Sequence, residues 1–144
     1  KPVSIKRPLD AIRAGIGFAT EDRKSEGLVL TMNVGENITL ASLDQFGSEW
    51  HMNLGAEKKS VLDYIAKLNI KTPSVLQKAR NLSGGNQQKV VLAKWLMSRS
   101  RAFLFDEPTR GIDVGAKIEV YNIINELIRE GAAVVLIETV PNFV

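Results

Sequence analysis

A chain of 144 residues, 44% hydrophobic and 24% charged, can bury one sizeable core and is too short for two full domains. Its net charge of +3 is weak and its Lys and Arg are scattered, so no nucleic-acid face is indicated. The absence of cysteine excludes disulfides and thiolate metal sites, and no apolar stretch approaches the ~20 residues of a bilayer span. No signal peptide is present, and an opening of Lys1-Pro2-Val3 without a Met is what a segment of a longer protein would show.

Residues 1–7 alternate Val3 and Ile5 with polar neighbours, the pattern of a short edge strand. Pro8 then opens a helix carrying Leu9 and Ile12 that ends at Gly15. Residues 16–19 read as a small buried strand, and residues 20–27 as a polar, charge-dense surface loop. Residues 34–43 predict a helix capped by Thr31 or Asn33. Residues 47–55 read as a connecting loop; it holds Trp50 and the single histidine, His51, to which a packing or surface role falls. The spacing of Val61, Leu62, Ile65 and Leu68 predicts a helix over 57–69 that serves as core packing. Lys71-Thr72-Pro73-Ser74 breaks it.

Two motifs of different chemistry follow. Leu82-Ser83-Gly84-Gly85-Asn86-Gln87-Gln88 is a Gly-containing turn running into a helix over 87–98, whose broad apolar side carries Val90, Val91, Trp95, Leu96 and Met97. Ser83 is a good N-cap, and two glycines let the backbone approach a ligand with no Cβ in the way. The free N–H groups of a helix start favour phosphate. Taken alone, the Ser-Gly-Gly turn fits an ordinary capped helix better. The second motif is the apolar strand 103–105 ending in Asp106-Glu107-Pro108. Open α/β sheets bind ligands at that end of a strand. Asp106 suits magnesium, which takes hard oxygen donors and keeps several waters, and Glu107 suits the polarising of an attacking water. A strand-to-loop turn with solvated acids fits the isolated tetrapeptide equally well. Asp113 reads as the N-cap of a helix over 116–129, with Val120, Ile123, Ile124, Leu127 and Ile128 inward and Gly131 at its end. The continuous apolar run 133–137 predicts a central parallel strand, and strand, crossover helix and strand make the class α/β.

Taken together, LSGGNQQKV and the FLFDEPTRGID that follows it closely resemble the ABC-type ATPase cassette, with its signature motif, Walker B strand and D-loop. IGFATEDRKSEGL at 16–28 resembles the Q-loop region of the second cassette in bacterial sugar-importer ATPases of the ribose/galactose type, where an acidic stretch replaces the usual Gln. The resemblance runs from about residue 15 to 137. It implies a partial P-loop NTPase fold, with an α/β core over about 1–30 and 100–144 and a helical subdomain over about 31–99. It implies ATP and Mg²⁺ as ligands, Asp106 on the metal and Glu107 as catalytic base. Leu82, Ser83, Gly84, Gly85, Asn86 and Gln87 would face the γ-phosphate of a nucleotide bound mainly by a second, head-to-tail cassette. Asp113 would touch that cassette, and Glu21, at the Gln position, would sense nucleotide and transporter. Implied partners are the second cassette, membrane permease subunits that feel closure through the Glu21 loop and residues 47–69, and indirectly a periplasmic sugar-binding protein. The place implied is the cytoplasmic face of the membrane, and the task is monosaccharide import.

The sequence departs from the family pattern in two places. No G-x-x-x-x-G-K-[ST] phosphate loop occurs in these 144 residues, so this chain alone is expected to bind MgATP poorly and to lack activity. The switch His after the last strand is replaced by Glu138-Thr139-Val140. Two rival readings are a catalytically inactive docking module of the same fold and a DNA-repair-type ATPase of the superfamily. The latter would carry a long heptad-repeat arm, and none is present.

Overall fold

The computed structural model describes residues 3–48 and 51–139. A three-stranded parallel sheet, ordered β1 (Ile16–Ala19), β4 (Ala102–Asp106) and β5 (Ala133–Ile137), forms one side of the molecule. Register runs Gly17↔Phe103 between β1 and β4, and Phe103↔Val134 between β4 and β5. Five α-helices accompany it: α1 (Pro8–Arg13), α2 (Val34–Thr39), α3 (Leu54–Lys67), α4 (Gly84–Met97) and α5 (Val114–Arg129). A short antiparallel pair, β2 (Gly47–Ser48) and β3 (His51–Met52), precedes α3.

Helix α4 is the centre of the fold. It packs against α2, α3, α5 and β1, and every residue of it from Gln87 to Lys94 is buried. One continuous hydrophobic cluster joins Val90, Val91 and Leu92 of α4 to Phe103 and Phe105 of β4, Val120 and Ile124 of α5, and Ile38 and Val61 of α2 and α3. Burying a side chain of this size is worth roughly 1.5–3 kcal/mol, so α4 holds the α-helical part and the sheet in one cooperative unit.

Helix starts follow local chemistry. Asn33, Asn53, Ser83 and Asp113 each accept a hydrogen bond from the backbone N–H three residues on, at Glu36, Ala56, Asn86 and Ala116. Helix α2 ends at Thr39, earlier than expected, because Thr39 Oγ1 donates back to the Gly35 carbonyl and Ser42 closes a turn on the Thr39 carbonyl. Residues 47–55 are more regular than a plain loop: β2 and β3 pair, and Asn53 caps α3 from Leu54. Trp50 and the side chain of His51 lie outside the described residues.

Two expectations are corrected. Residues 3–7 form no strand; Val3 and Ile5 are exposed and the segment simply leads into α1. Alternation marks a strand only where a neighbouring edge accepts it, and β1 pairs with β4 instead. Among the described residues β5 pairs on one side, with β4, and Val135 is 52% exposed. An apolar run signals a strand that wants two covered faces, and among the described residues β5 has neither fully covered. Leu62 of α3 and Ile128 of α5 also face outward, although their spacing placed them inward.

Candidate functional site

The first candidate cluster is built on the N-terminus of α4. Ser83 has an extended backbone and caps the helix, so Gly84 and Gly85 lie in its first turn and not in a loop before it. Neither glycine faces open space. A Cβ on Gly85 would stand 2.6 Å from Ala116 Cβ of α5, and one on Gly84 would stand 2.8 Å from Arg23 Nη2. Their bareness therefore serves close packing inside this chain. Asn86 is engaged at both ends of its amide: Nδ2 donates to Ser83 Oγ at 2.9 Å and Oδ1 accepts from Lys71 N at 2.8 Å. Gln87 is corrected as a surface ligand. It is 4% exposed, and its Nε2 donates to the Ala79 carbonyl at 3.1 Å. Leu82 packs against the hydrophobic core.

What remains accessible is a surface cleft of about 270 Å³ that includes Ser83, Gly85, Asn86, Lys71, Lys89, Asp113 and Gly115. Ser83, the N-cap of α4, and Asn86 in its first turn line the cleft at the positive end of the helix dipole. Asp113 caps α5 on its far wall and lies beside Gly85. Lys89, almost wholly buried, donates to the Asn69 carbonyl at 2.8 Å and pairs with Glu119, so its charge is already neutralised. Sequence spacing set Ser83 and Asp113 thirty residues apart; the packing of Gly85 on Ala116 brings them to one cleft.

The second cluster lies at the carboxyl end of β4. Asp106 closes the strand opposite Ile137, half-buried, and its carboxylate has no hydrogen-bond or ion-pair partner among the described residues. Glu107 leaves the strand in the left-handed region (φ 47°), its N–H donating to the Ile137 carbonyl at 2.8 Å. That turn sends the two carboxylates to different surroundings. The Glu107 carboxylate accepts from both the backbone N–H and the hydroxyl of Thr139. The neighbouring Glu138 is fixed in turn by the Tyr121 hydroxyl at 2.7 Å and by Thr109 at 3.2 Å. Its hydrogen bond to Glu138 raises the Tyr121 pKa above the ordinary phenol value, with burial adding to the shift. An unpaired carboxylate at a strand end suits Mg²⁺, a hard ion that keeps several waters, and Asp106 offers one. Among the described residues no group of three or more His, Asp or Glu side chains gathers around it.

Glu21 stands apart from both clusters. It pairs with Arg110, immediately past the Glu107 turn, and lines a shallow recess with Asp22, Arg23, Lys24 and Gly111. Sequence reasoning missed Arg23, Thr139 and Ala116. Each acts on a partner distant in sequence, and no local pattern marks it.

Residues 2–110 match the ABC transporter family. The chain is 54% identical over 140 residues to the ribose import ATP-binding protein of Rubrobacter xylanophilus, covering 96% of this chain and 28% of that protein. It is 50% identical over 139 residues to the xylose import ATP-binding protein of Thermoanaerobacter pseudethanolicus, again with 96% and 28% covered. Among solved structures, a dimeric bacterial ABC transporter cassette superposes with a TM-score of 0.70 at 23% identity, over 84% of this chain and 50% of that one. The chain thus spans under a third of the length of these curated relatives and about half of a solved cassette. With its fold, its paired motifs and most of its length accounted for in this way, the chain belongs to the ABC transporter family.

Proposed function

We propose that this chain is the signature and Walker B portion of an ATP-hydrolysing subunit that powers monosaccharide import. The observation that carries the reading is identity of about half to ribose and xylose import ATP-binding proteins across 96% of the chain, with both motifs intact. ATP would meet the two clusters separately. The N–H groups of the first turn of α4 and Ser83 Oγ, exposed in the cleft with Asp113, would receive the terminal phosphate of a nucleotide held mainly by a second cassette. Asp106 and Glu107 would serve a nucleotide on their own cassette. Asp106 would hold magnesium, which when bound would supply positive charge against the negative charge developing on the phosphates. Glu107 would orient the attacking water and accept its proton, while Thr139 sets the direction of the carboxylate. Permease subunits would lie against the Glu21 loop, placing the protein at the cytoplasmic face of the membrane. No helix of the described residues is long and apolar enough to cross it.

The test is ATP turnover by a protein of the relatives' full length, assembled with its permease and fed a series of pentoses and hexoses. Turnover stimulated by one sugar and its binding protein supports the reading. A protein that binds no nucleotide and still associates with the permease would make it a docking module.

A further inference from the structure

Arg23 belongs to neither motif, yet its guanidinium touches two segments far from it in sequence. Nη1 donates to the Arg110 carbonyl at 2.7 Å and Nη2 to the Gly111 carbonyl at 3.2 Å, both in the loop from β4 to α5. The same Nη2 occupies the space a side chain on Gly84 would take, and the Gly111 carbonyl lies 3.2 Å from that point. Gly111 has a left-handed backbone (φ 65°), so both donors meet carbonyls turned to one side.

The turn that carries Arg23 is itself held. Asp22 caps it by accepting from Lys24 N at 3.1 Å and Ser25 N at 3.2 Å. At its other end the buried Lys94 of α4 donates to the Gly27 carbonyl at 2.7 Å. Glu21 adds its pair with Arg110. Arg23 Nε is buried with no hydrogen-bond partner, an uncompensated cost. An apolar side chain of the same length would fill this space without that cost, whereas only a forked donor can fix two adjacent carbonyls at once.

We propose that Arg23 is a positioning residue for the cleft between Ser83 and Asp113. It clamps the 110–111 backbone against Gly84, so that any movement of the Glu21 loop is passed to the direction of Asp113 and to the α4 N-terminus. The guanidinium keeps its charge at every working pH, so this is a mechanical link, independent of titration. Its consequence for turnover rests on the ATPase reading above; the link itself does not.

The experiment uses the full-length protein with Arg23→Met, which fills the space and removes the donors, and Arg23→Lys, which keeps the charge and loses the fork. Backbone amide hydrogen exchange is read without nucleotide, and ATP turnover is read separately. Arg23→Met should speed exchange by about tenfold across residues 84–87 and 111–116, leaving β1 and β4 unchanged. It should lower kcat by about tenfold with KM for ATP within about twofold, and Arg23→Lys should fall between. Gly84→Ala, which keeps the arginine but displaces it, should reproduce the exchange pattern, and the double variant should add nothing to either single one. Unchanged exchange, an additive double variant, or faster exchange with unchanged kcat would each overturn the proposal. Wild-type protein that hydrolyses no ATP would sink the ATPase reading instead, leaving the exchange measurements alone to decide the role of Arg23.

Discussion

The two candidate clusters are held in place by different means. At the start of α4, packing does the holding: Gly84 lies under Arg23, Gly85 on Ala116, and the Asn86 amide bonds at both ends. At the end of β4, a few polar contacts do it: Thr139 on Glu107, Tyr121 and Thr109 on Glu138, and none for Asp106 among the described residues. The first arrangement fixes the start of α4 by contacts within the chain itself. The second holds Glu107 and Glu138 by hydrogen bonds alone and leaves the Asp106 carboxylate without a partner among the described residues. Changes in the first cluster should therefore register mainly as stability, and changes in the second mainly as chemistry.

Glu107→Gln gives the sharpest test of that division. It keeps the shape and an oxygen acceptor for Thr139 while removing the carboxylate proposed above as the base, so kcat in the full-length protein should fall by about 10²–10⁴-fold. Nucleotide affinity and thermal midpoint should hold. A large loss of stability would show that Glu107 belongs with the packed cluster. Gly85→Ala is the converse. Its new methyl would stand 2.6 Å from Ala116 Cβ, and overpacking of this kind costs about 1–3 kcal/mol. The urea midpoint should drop, and Ala116→Gly added to it should recover part of the loss. Recovery would separate packing from ligand approach as the reason a glycine stands there.

Much of this was legible from residue types alone, and the pattern of success has a physical reason. Ser83 and Asp113 were readable as caps, and Asn33 as one of two candidates beside Thr31, because the hydrogen bond of a cap closes within three residues. The β4–α5–β5 unit was readable because period and punctuation are local too. The pairing of β5 with β4 followed from that unit, although an apolar run states what the side chains want and not which neighbour supplies it. Gln87 was misread because the signature turn was taken to precede the helix. With α4 starting at Gly84, Gln87 falls on its inner face, where it reaches the Ala79 carbonyl. Arg23 escaped because its acceptors lie 87 and 88 residues away.

Ser83→Ala should have a smaller effect than Gly85→Ala. Loss of an N-cap costs about 1 kcal/mol, and here the hydroxyl also receives Asn86 Nδ2. Asn86 keeps its bond to Lys71 N, so the turn should persist and only the urea midpoint should move, with the m-value unchanged. A changed m-value would mean that the α4 start depends on one hydroxyl and is less fixed by packing than its glycines indicate.

The smallest effect expected is a change of slope and not of level. Lys94 is 7% exposed in the last turn of α4, and burial pushes its pKa below the ordinary lysine value. In the window between the folded and the ordinary value the unfolded chain binds more protons than the folded one, so stability contributed by this group rises with pH there. Opposing this, the ammonium donates to the Gly27 carbonyl and lies 5.0 Å from the centre of the Trp95 ring, and both contacts favour the charged form. Urea midpoints from pH 7 to 10 on the parent and on Lys94→Met decide which wins. If burial dominates, the parent gains stability relative to the variant as pH rises. A parent that instead loses ground would show the charged contacts outweighing burial, making Lys94 a second clamp on the turn that carries Arg23.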